Sequence, residues 1–260
     1  MVQKEVLIIS NTYGDLIKSK NRVQKHGEVF TPNWMIQKML NNPAIKKSCE
    51  DLTSTFLEPA AGEGNFLIAI LKRKLDMVVD QYSGTLVQFE NFSLYALSTL
   101  YGIELLEDNT QMCSMNLYGV YYEVYKRISN KFNKKTKKKV LDSAKVIIRA
   151  NIVQGDFLTR KNSRNESITF SKWHIINNLT TATKIISVVR TEYSIDEIFM
   201  NKKNKLGTLS HTTKKFEQLD WFDSIGLSSE TEQELKKVEL RYATVKITDV
   251  YKEELEKSDE

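Results

Sequence analysis

"FLEPAAGEGNF", Phe56 to Phe66, is the stretch on which the fold turns. The run "TSTFLEP" reads as a short buried strand that stops at Pro59, because proline cannot donate to a strand ladder. Gly62-Glu63-Gly64 follows. Then comes "NFLIAILKRKLDMVVDQY", a helix pattern with Phe66, Leu67, Ile70, Leu71, Met77 and Val78 along one side. Open α/β sheets enter a helix through such a glycine turn where bare backbone must approach a ligand beyond the strand ends. A dinucleotide fingerprint would need a third glycine where Leu67 stands, and a phosphate loop would need Gly-Lys-Ser/Thr. Neither is present, so no pyrophosphate or triphosphate is expected. On this stretch alone, a helix start that merely uses glycine to turn is the competing reading.

Outward from the turn, strands alternate with helices. Thr31-Pro32 opens the helix "NWMIQKMLNN", with Thr31 as its expected cap and Trp34, Ile36, Met39 and Leu40 as its expected buried face. "FENFSLYALSTL" reads as a helix, "LYGIELL" as a strand closing on Glu104, and "EDNTQMCSMNLYGVYYEVYKRISNKF" as a long amphipathic helix. "KVIIRANIVQGDFL" reads as a strand turning at Gly155-Asp156, and "WHIINN" as one more strand. Beyond Thr180, "KIISVVRTEYS" and "YATVKITDVY" alternate as strands do. This order predicts an α/β fold: a mostly parallel sheet with helices on both faces.

Three acids end successive strands: Glu58, Glu104 and Asp156. Glu58, just before the turn, suits a ligand bearing positive charge, and S-adenosylmethionine carries a sulfonium and an ammonium. A carboxylate at Glu104 can accept ribose hydroxyls. Asp156 can accept a hydrogen bond from an adenine amino group.

The bulk properties narrow the classes. The 260 residues carry a net charge of +5 and are 41% hydrophobic, which fits a globular protein compatible with a nucleic-acid partner. Six lysines between Lys131 and Lys139 read as a solvated loop, with Lys134, Lys135, Lys137 and Lys138 as candidate contacts to a DNA backbone. Cys49 and Cys113 read as reduced thiols. With no apolar run of membrane length, the expected home is the cytoplasm.

"HGEVFTPNWMIQKML", "FLEPAAGEGNFL", "LYGIELLEDN" and "NIVQGDFL", in this order, resemble the N6-adenine DNA methyltransferases of bacterial restriction-modification systems, over roughly residues 26–158. The resemblance implies a Rossmann-like, S-adenosylmethionine-dependent methyltransferase fold. It implies a cofactor shell of Phe30, Thr31, Pro32, Glu58, Ala60, Gly62, Gly64, Glu104, Asp156 and Phe157.

One part of the family pattern is missing. The adenine N6 lone pair is delocalised into the ring. The family draws out the two N6 hydrogens with an Asn/Asp-Pro-Pro-Tyr/Phe turn and stacks its aromatic on the flipped base. Asn178 sits at the Asn position, but Leu179, Thr180 and Thr181 occupy the rest, and no proline follows Pro59. Asn178 is therefore the only candidate catalytic residue. After residue 180 only 80 residues remain for further strands and base readout.

The expected division is residues 1–180 as the cofactor-binding domain and 181–260 as an extension that completes the sheet or docks a partner. The expected function is an adenine-N6 DNA methyltransferase, or a subunit of one, incomplete without a second polypeptide. The alternatives are a non-catalytic cofactor-binding or DNA-associated module, and a methyltransferase for RNA or protein.

Overall fold

The computed structural model describes residues 31–180, 182–210 and 240–258. Phe30, Thr181 and residues 211–239 lie outside the described residues.

Helix α1 (Asn33–Leu40) begins after Pro32, which is itself the N-cap, so the expected Thr31 side-chain cap is not made. Only Ile36 and Leu40 of α1 are buried, while Trp34 and Met39 face solvent. The expected apolar face is corrected by what α1 touches. The helix is two turns long, and Arg73 fastens it by its guanidinium to the Leu40 carbonyl at 2.6 Å, Gln37 at 3.0 Å and Asn41 at 2.8 Å. Helix α2 (Pro43–Cys49) starts with proline at its first position and Asn42 as the cap.

Strand β1 (Phe56–Glu58) leads through the glycine turn into α3 (Asn65–Gln81). Helix α4 (Leu86–Ser98), capped by Thr85, leads into β2 (Leu100–Glu104). Helix α5 (Glu107–Lys131) and helix α6 (Lys138–Asn151) precede β3 (Ile152–Gln154). Residues 145–151 are thus helical and the strand begins only at Ile152. Their apolar residues recur at helical spacing, and Val140, Ala144, Ile147 and Ile148 are buried.

β1, β2 and β3 form a parallel sheet in that order, with Glu58 opposite Gly102 and Glu104 opposite Gln154. Phe56, Leu100 and Ile152 belong to the helix-packed core, with Leu67, Leu71, Leu117 and Ile147.

The rest of the chain departs from a mostly parallel sheet. β4 (Thr169–Ile175) pairs along its whole length with β5 (Ser187–Ser194) in antiparallel fashion, and β5 pairs in turn with β7 (Val245–Lys246). Residue 180 therefore falls in the connection between two strands of one sheet. Ile168 packs against Gly155, just past the end of β3, and Phe170 meets Tyr101 edge-on. The Ser171 N–H donates to Asn151, just before β3 begins. β4 thus runs back across the Tyr101 and Ile103 face of the parallel sheet, opposite in direction to its strands. Helices cover one face of that sheet, and Ile168, Phe170 and Ile195 cover the other.

Helix α7 (Ile195–Phe199) follows β5 through a capping box between Ser194 and Glu197. The stretch read as the last strand is divided. β6 (Leu240–Tyr242) pairs with β8 (Leu255–Lys257), and Ile247–Lys252 is a 3-10 helix that packs on α6.

Candidate functional site

The parallel pairing of β1, β2 and β3 sets their carboxyl ends side by side. Gly62 and Gly64 both have positive φ, +54° and +88°, which side-chain-bearing residues rarely adopt. The two glycines answer different needs. A Cβ on Gly64 would lie 2.6 Å from Cys113 Sγ on α5, so Gly64 lets two helices close together. A Cβ on Gly62 would meet nothing within 4 Å, so this side of the turn is open.

Glu104 is buried and locks the turn to β2. Its Oε2 accepts the Gly62 N–H at 2.8 Å, and its Oε1 accepts the Leu106 N–H at 3.1 Å and the Asn109 amide at 3.3 Å. The Glu104 carbonyl accepts the Gly155 N–H at 2.9 Å, which brings the third strand end alongside. Asp156 lies two residues past β3, where its Oδ1 accepts the Leu158 N–H at 2.8 Å.

Glu58 differs from both. It is half-buried, its one hydrogen-bond donor among the described residues is the Ala60 N–H at 3.3 Å, and burial raises its carboxyl above the usual range against that one hydrogen bond. A carboxylate in this position gains from a cation beside it.

Phe157 packs partly into the cluster of Ile103 and Ile168, 6.2 Å from the Phe199 ring. Thr31 and Pro32 stand at the start of α1, whose other end Arg73 ties to α3. Glu58, Ala60, Gly62, Gly64, Glu104 and Asp156 are therefore brought along one sheet edge.

Sequence reasoning missed four further residues at this edge. Asn109 is buried and orients Glu104, and Asn116 holds the Glu63 carbonyl at 3.0 Å. Asn109 was legible as the amide five residues after the acid in "ELLEDN". Leu105 directly follows Glu104 and Leu158 lies two residues after Asp156; they stand 52% and 88% exposed, leaving apolar side chains open near both carboxylates.

Asn178 is not brought to this edge. It is exposed, and its carbonyl accepts from Thr183 Oγ1 at 3.4 Å. Its loop docks on α4, where the Gln88 amide donates to the Thr183 carbonyl and the Ile186 N–H donates to Asn91. Helix α4 leads into the amino end of β2, whereas the glycine turn follows the carboxyl end of β1. Because β4 runs antiparallel to the parallel strands, it carries Asn178 to the end of the sheet away from the glycine turn.

The lysine cluster divides as well. Lys137 Nζ reaches buried Glu90 at 2.7 Å, where the Tyr125 hydroxyl also donates at 2.6 Å. Lys138 pairs with Asp142, and Lys139 with Asp249. Lys134 and Lys135 remain exposed in the loop between α5 and α6. No group of three His, Cys, Asp or Glu side chains among the described residues could hold a metal, and no described helix is long and apolar enough to cross a membrane.

Compared with known proteins, the chain finds no match among curated proteins and none among solved structures. A family model does match it, the one described as "MmeI, DNA-methyltransferase domain", over residues 37–223. That span contains the glycine turn, all three acidic strand ends and β4–β5. The chain therefore belongs to the MmeI DNA-methyltransferase-domain family, a restriction-modification family of DNA methyltransferases.

Proposed function

We propose that this chain binds S-adenosylmethionine at the carboxyl edge of its parallel sheet and serves adenine-N6 methylation of DNA, with a second polypeptide completing the catalytic site. The observation that carries the proposal is the glycine turn locked by Glu104, with its Gly62 side open and Glu58 short of donors. The fold reading that goes with it is a Rossmann-like methyltransferase core in residues 56–158. From residues 181–260, β5 and β7 complete the antiparallel sheet that β4 begins.

The residues fit the cofactor group by group. Glu58 is placed for the positively charged amino-acid end. Glu104 already accepts three hydrogen bonds, but a carboxylate offers about four acceptor positions, so a ribose hydroxyl can be added. Asp156 keeps its second oxygen for an adenine amino group, with Leu105 and Leu158 as apolar neighbours for the flat ring. Thr31, Pro32, Ala60 and Phe157 complete the shell. When bound, this cofactor supplies an electrophilic methyl group on its sulfonium.

The target amine must be held by two acceptors that draw its hydrogens out of the ring plane. Asn178 lies at the opposite end of the sheet, so this task is assigned to the second polypeptide. The same displacement favours a second reading, a cofactor-binding module without chemistry of its own. DNA affinity is assigned to Lys134 and Lys135, and it should fall steeply with salt.

Calorimetry on the whole chain tests the cofactor site. Glu58→Gln should weaken S-adenosylmethionine at least about tenfold, since a charge-assisted contact contributes about 1.5–3 kcal/mol. Because burial raises the Glu58 carboxyl, it takes up its proton at higher pH than an ordinary carboxylate. Affinity should therefore begin to fall above the usual carboxylate range as pH is lowered, and Glu58→Gln should remove that dependence. No binding by folded wild-type protein would overturn the proposal. Tritiated-methyl transfer to DNA should be at background for the chain alone and appear with its partner; background in both arms would favour the module reading.

A further inference from the structure

Between the two sheets lies a cavity of about 630 Å³ that shares no residue with the glycine-turn site. Its volume is that of ordinary small-molecule sites, roughly 300–1,000 Å³. Aromatic rings form much of its wall. Tyr101 of β2 and Phe170 of β4 meet edge-on, with ring centres 5.4 Å apart, and Tyr193 of β5 adds a third ring. The Tyr193 hydroxyl lies 3.3 Å from His174 Nε2, and burial and nearby Lys172 both push the His174 ring toward its neutral form. Asn204 lends an amide.

The charge around this cavity has one sign. Among the described residues, Lys172, Lys202 and Lys203 line it, and no Asp or Glu does. Lys202 is held by Glu197 at 2.7 Å. Lys172 and Lys203 are exposed and have no ion-pair partner among the described residues. Two free ammonium groups beside an aromatic chamber match a ligand that is flat at one end and anionic at the other.

We propose that this cavity binds a nucleotide unit, with the base among Tyr101, Phe170 and Tyr193 and the phosphate on Lys172 and Lys203. The His174–Tyr193 couple and the Asn204 amide meet the polar edge of the base, because neutral imidazole, phenol and amide can each donate or accept. The same chemistry is offered by a free nucleoside monophosphate and by one nucleotide of a single DNA strand.

The test uses the full chain without cofactor, so it stands apart from the methyl-transfer reading. Calorimetry at low salt is run with dAMP, with a five-nucleotide single strand, and with octanoate as an apolar anion that lacks a ring. The expected result is binding of dAMP but not of octanoate at the same concentration. Reversing both free charges, Lys172→Glu with Lys203→Glu, should weaken binding about tenfold or more at an unchanged melting temperature. Thr55→Trp, placed on the cavity lining, should block binding by filling it. A strand that binds more tightly than dAMP, and loses this in the same variants, identifies DNA as the source; a strand that binds no better identifies the free nucleotide. The proposal is overturned if folded wild type binds neither probe, if octanoate binds as well as dAMP, or if binding survives the charge reversal.

Discussion

Lys74, fully buried in the parallel half of the molecule, and Arg190, partly buried in the antiparallel half, are cations held in opposite ways. Lys74 on α3 is fully buried and donates to the carbonyls of Asp51 and Leu52 at 2.9 and 3.3 Å, with the Phe56 ring 5.7 Å away. No carboxylate among the described residues forms an ion pair with it. Arg190 on β5 donates to Glu192 at 3.0 Å, Glu253 at 2.6 Å and Ser171 at 2.8 Å, and its guanidinium lies over the Tyr242 ring. Glu192 in turn takes the Tyr242 hydroxyl at 2.7 Å and the Ser210 N–H at 2.8 Å. The carboxylates show the same division: Glu58 has one long hydrogen bond, while Glu192 is the hub of a network. In the antiparallel half Arg190, Glu192, Glu253 and Tyr242 bond to one another across β5, β6 and the 3-10 helix end. In the parallel half Glu58 keeps acceptor capacity that no further described donor uses.

The largest effect should come from the network. Arg190→Met leaves Glu192 buried without its cation, a loss of about 3–5 kcal/mol. Thermal or urea unfolding should read it, and a change under about 1 kcal/mol would show that the network adds no more than an exposed ion pair.

The glycine turn provides the next contrast. Gly64→Val combines a disfavoured positive φ with a side chain driven into Cys113, together about 2–4 kcal/mol. Gly62→Ala meets only the conformational cost, about 1 kcal/mol, because its Cβ enters open space. Urea midpoints should separate the two variants, and equal losses would break the assignment of Gly64 to helix packing and Gly62 to an open side.

An effect of opposite sign should come from Lys74. Burial depresses its pKa to about 8 from the ordinary 10.5, with Asp51 and Cys49 pulling the other way. A lysine whose folded value is depressed destabilises the fold fully below about pH 8. That cost shrinks as pH rises toward 10.5, where the unfolded chain also loses its proton. Lys74→Met should therefore stabilise the protein by roughly 1–3 kcal/mol at neutral pH and by progressively less as pH rises. A destabilised Lys74→Met at pH 7 would mean that the two carbonyl bonds outweigh desolvation.

The site and the fold were legible to different depths. Glu58, Glu104 and Asp156 could be found from sequence because each is defined locally, by the end of an apolar run. The parallel order of β1, β2 and β3 followed from helix-length crossovers, which parallel neighbours require. The strand read at 173–178 coincides with β4 only over Trp173–Ile175, and its direction was not legible. Trp34 shows the same limit: its helical spacing was correct, yet burial depends on whether anything lies opposite.

The sequence by itself determined the glycine turn, the strand–helix alternation and the acids at the strand ends, because periodicity and turn chemistry act within a few residues. Tertiary structure alone decided that β4 pairs with β5 and carries Asn178 away from the turn. It also decided that Lys137 is tied to Glu90, 47 positions away, and that Gly64 makes room for Cys113. The physical reason is that pairing direction, burial and ion-pair choice are set by contacts between residues far apart in the chain, and no local pattern encodes which partner arrives.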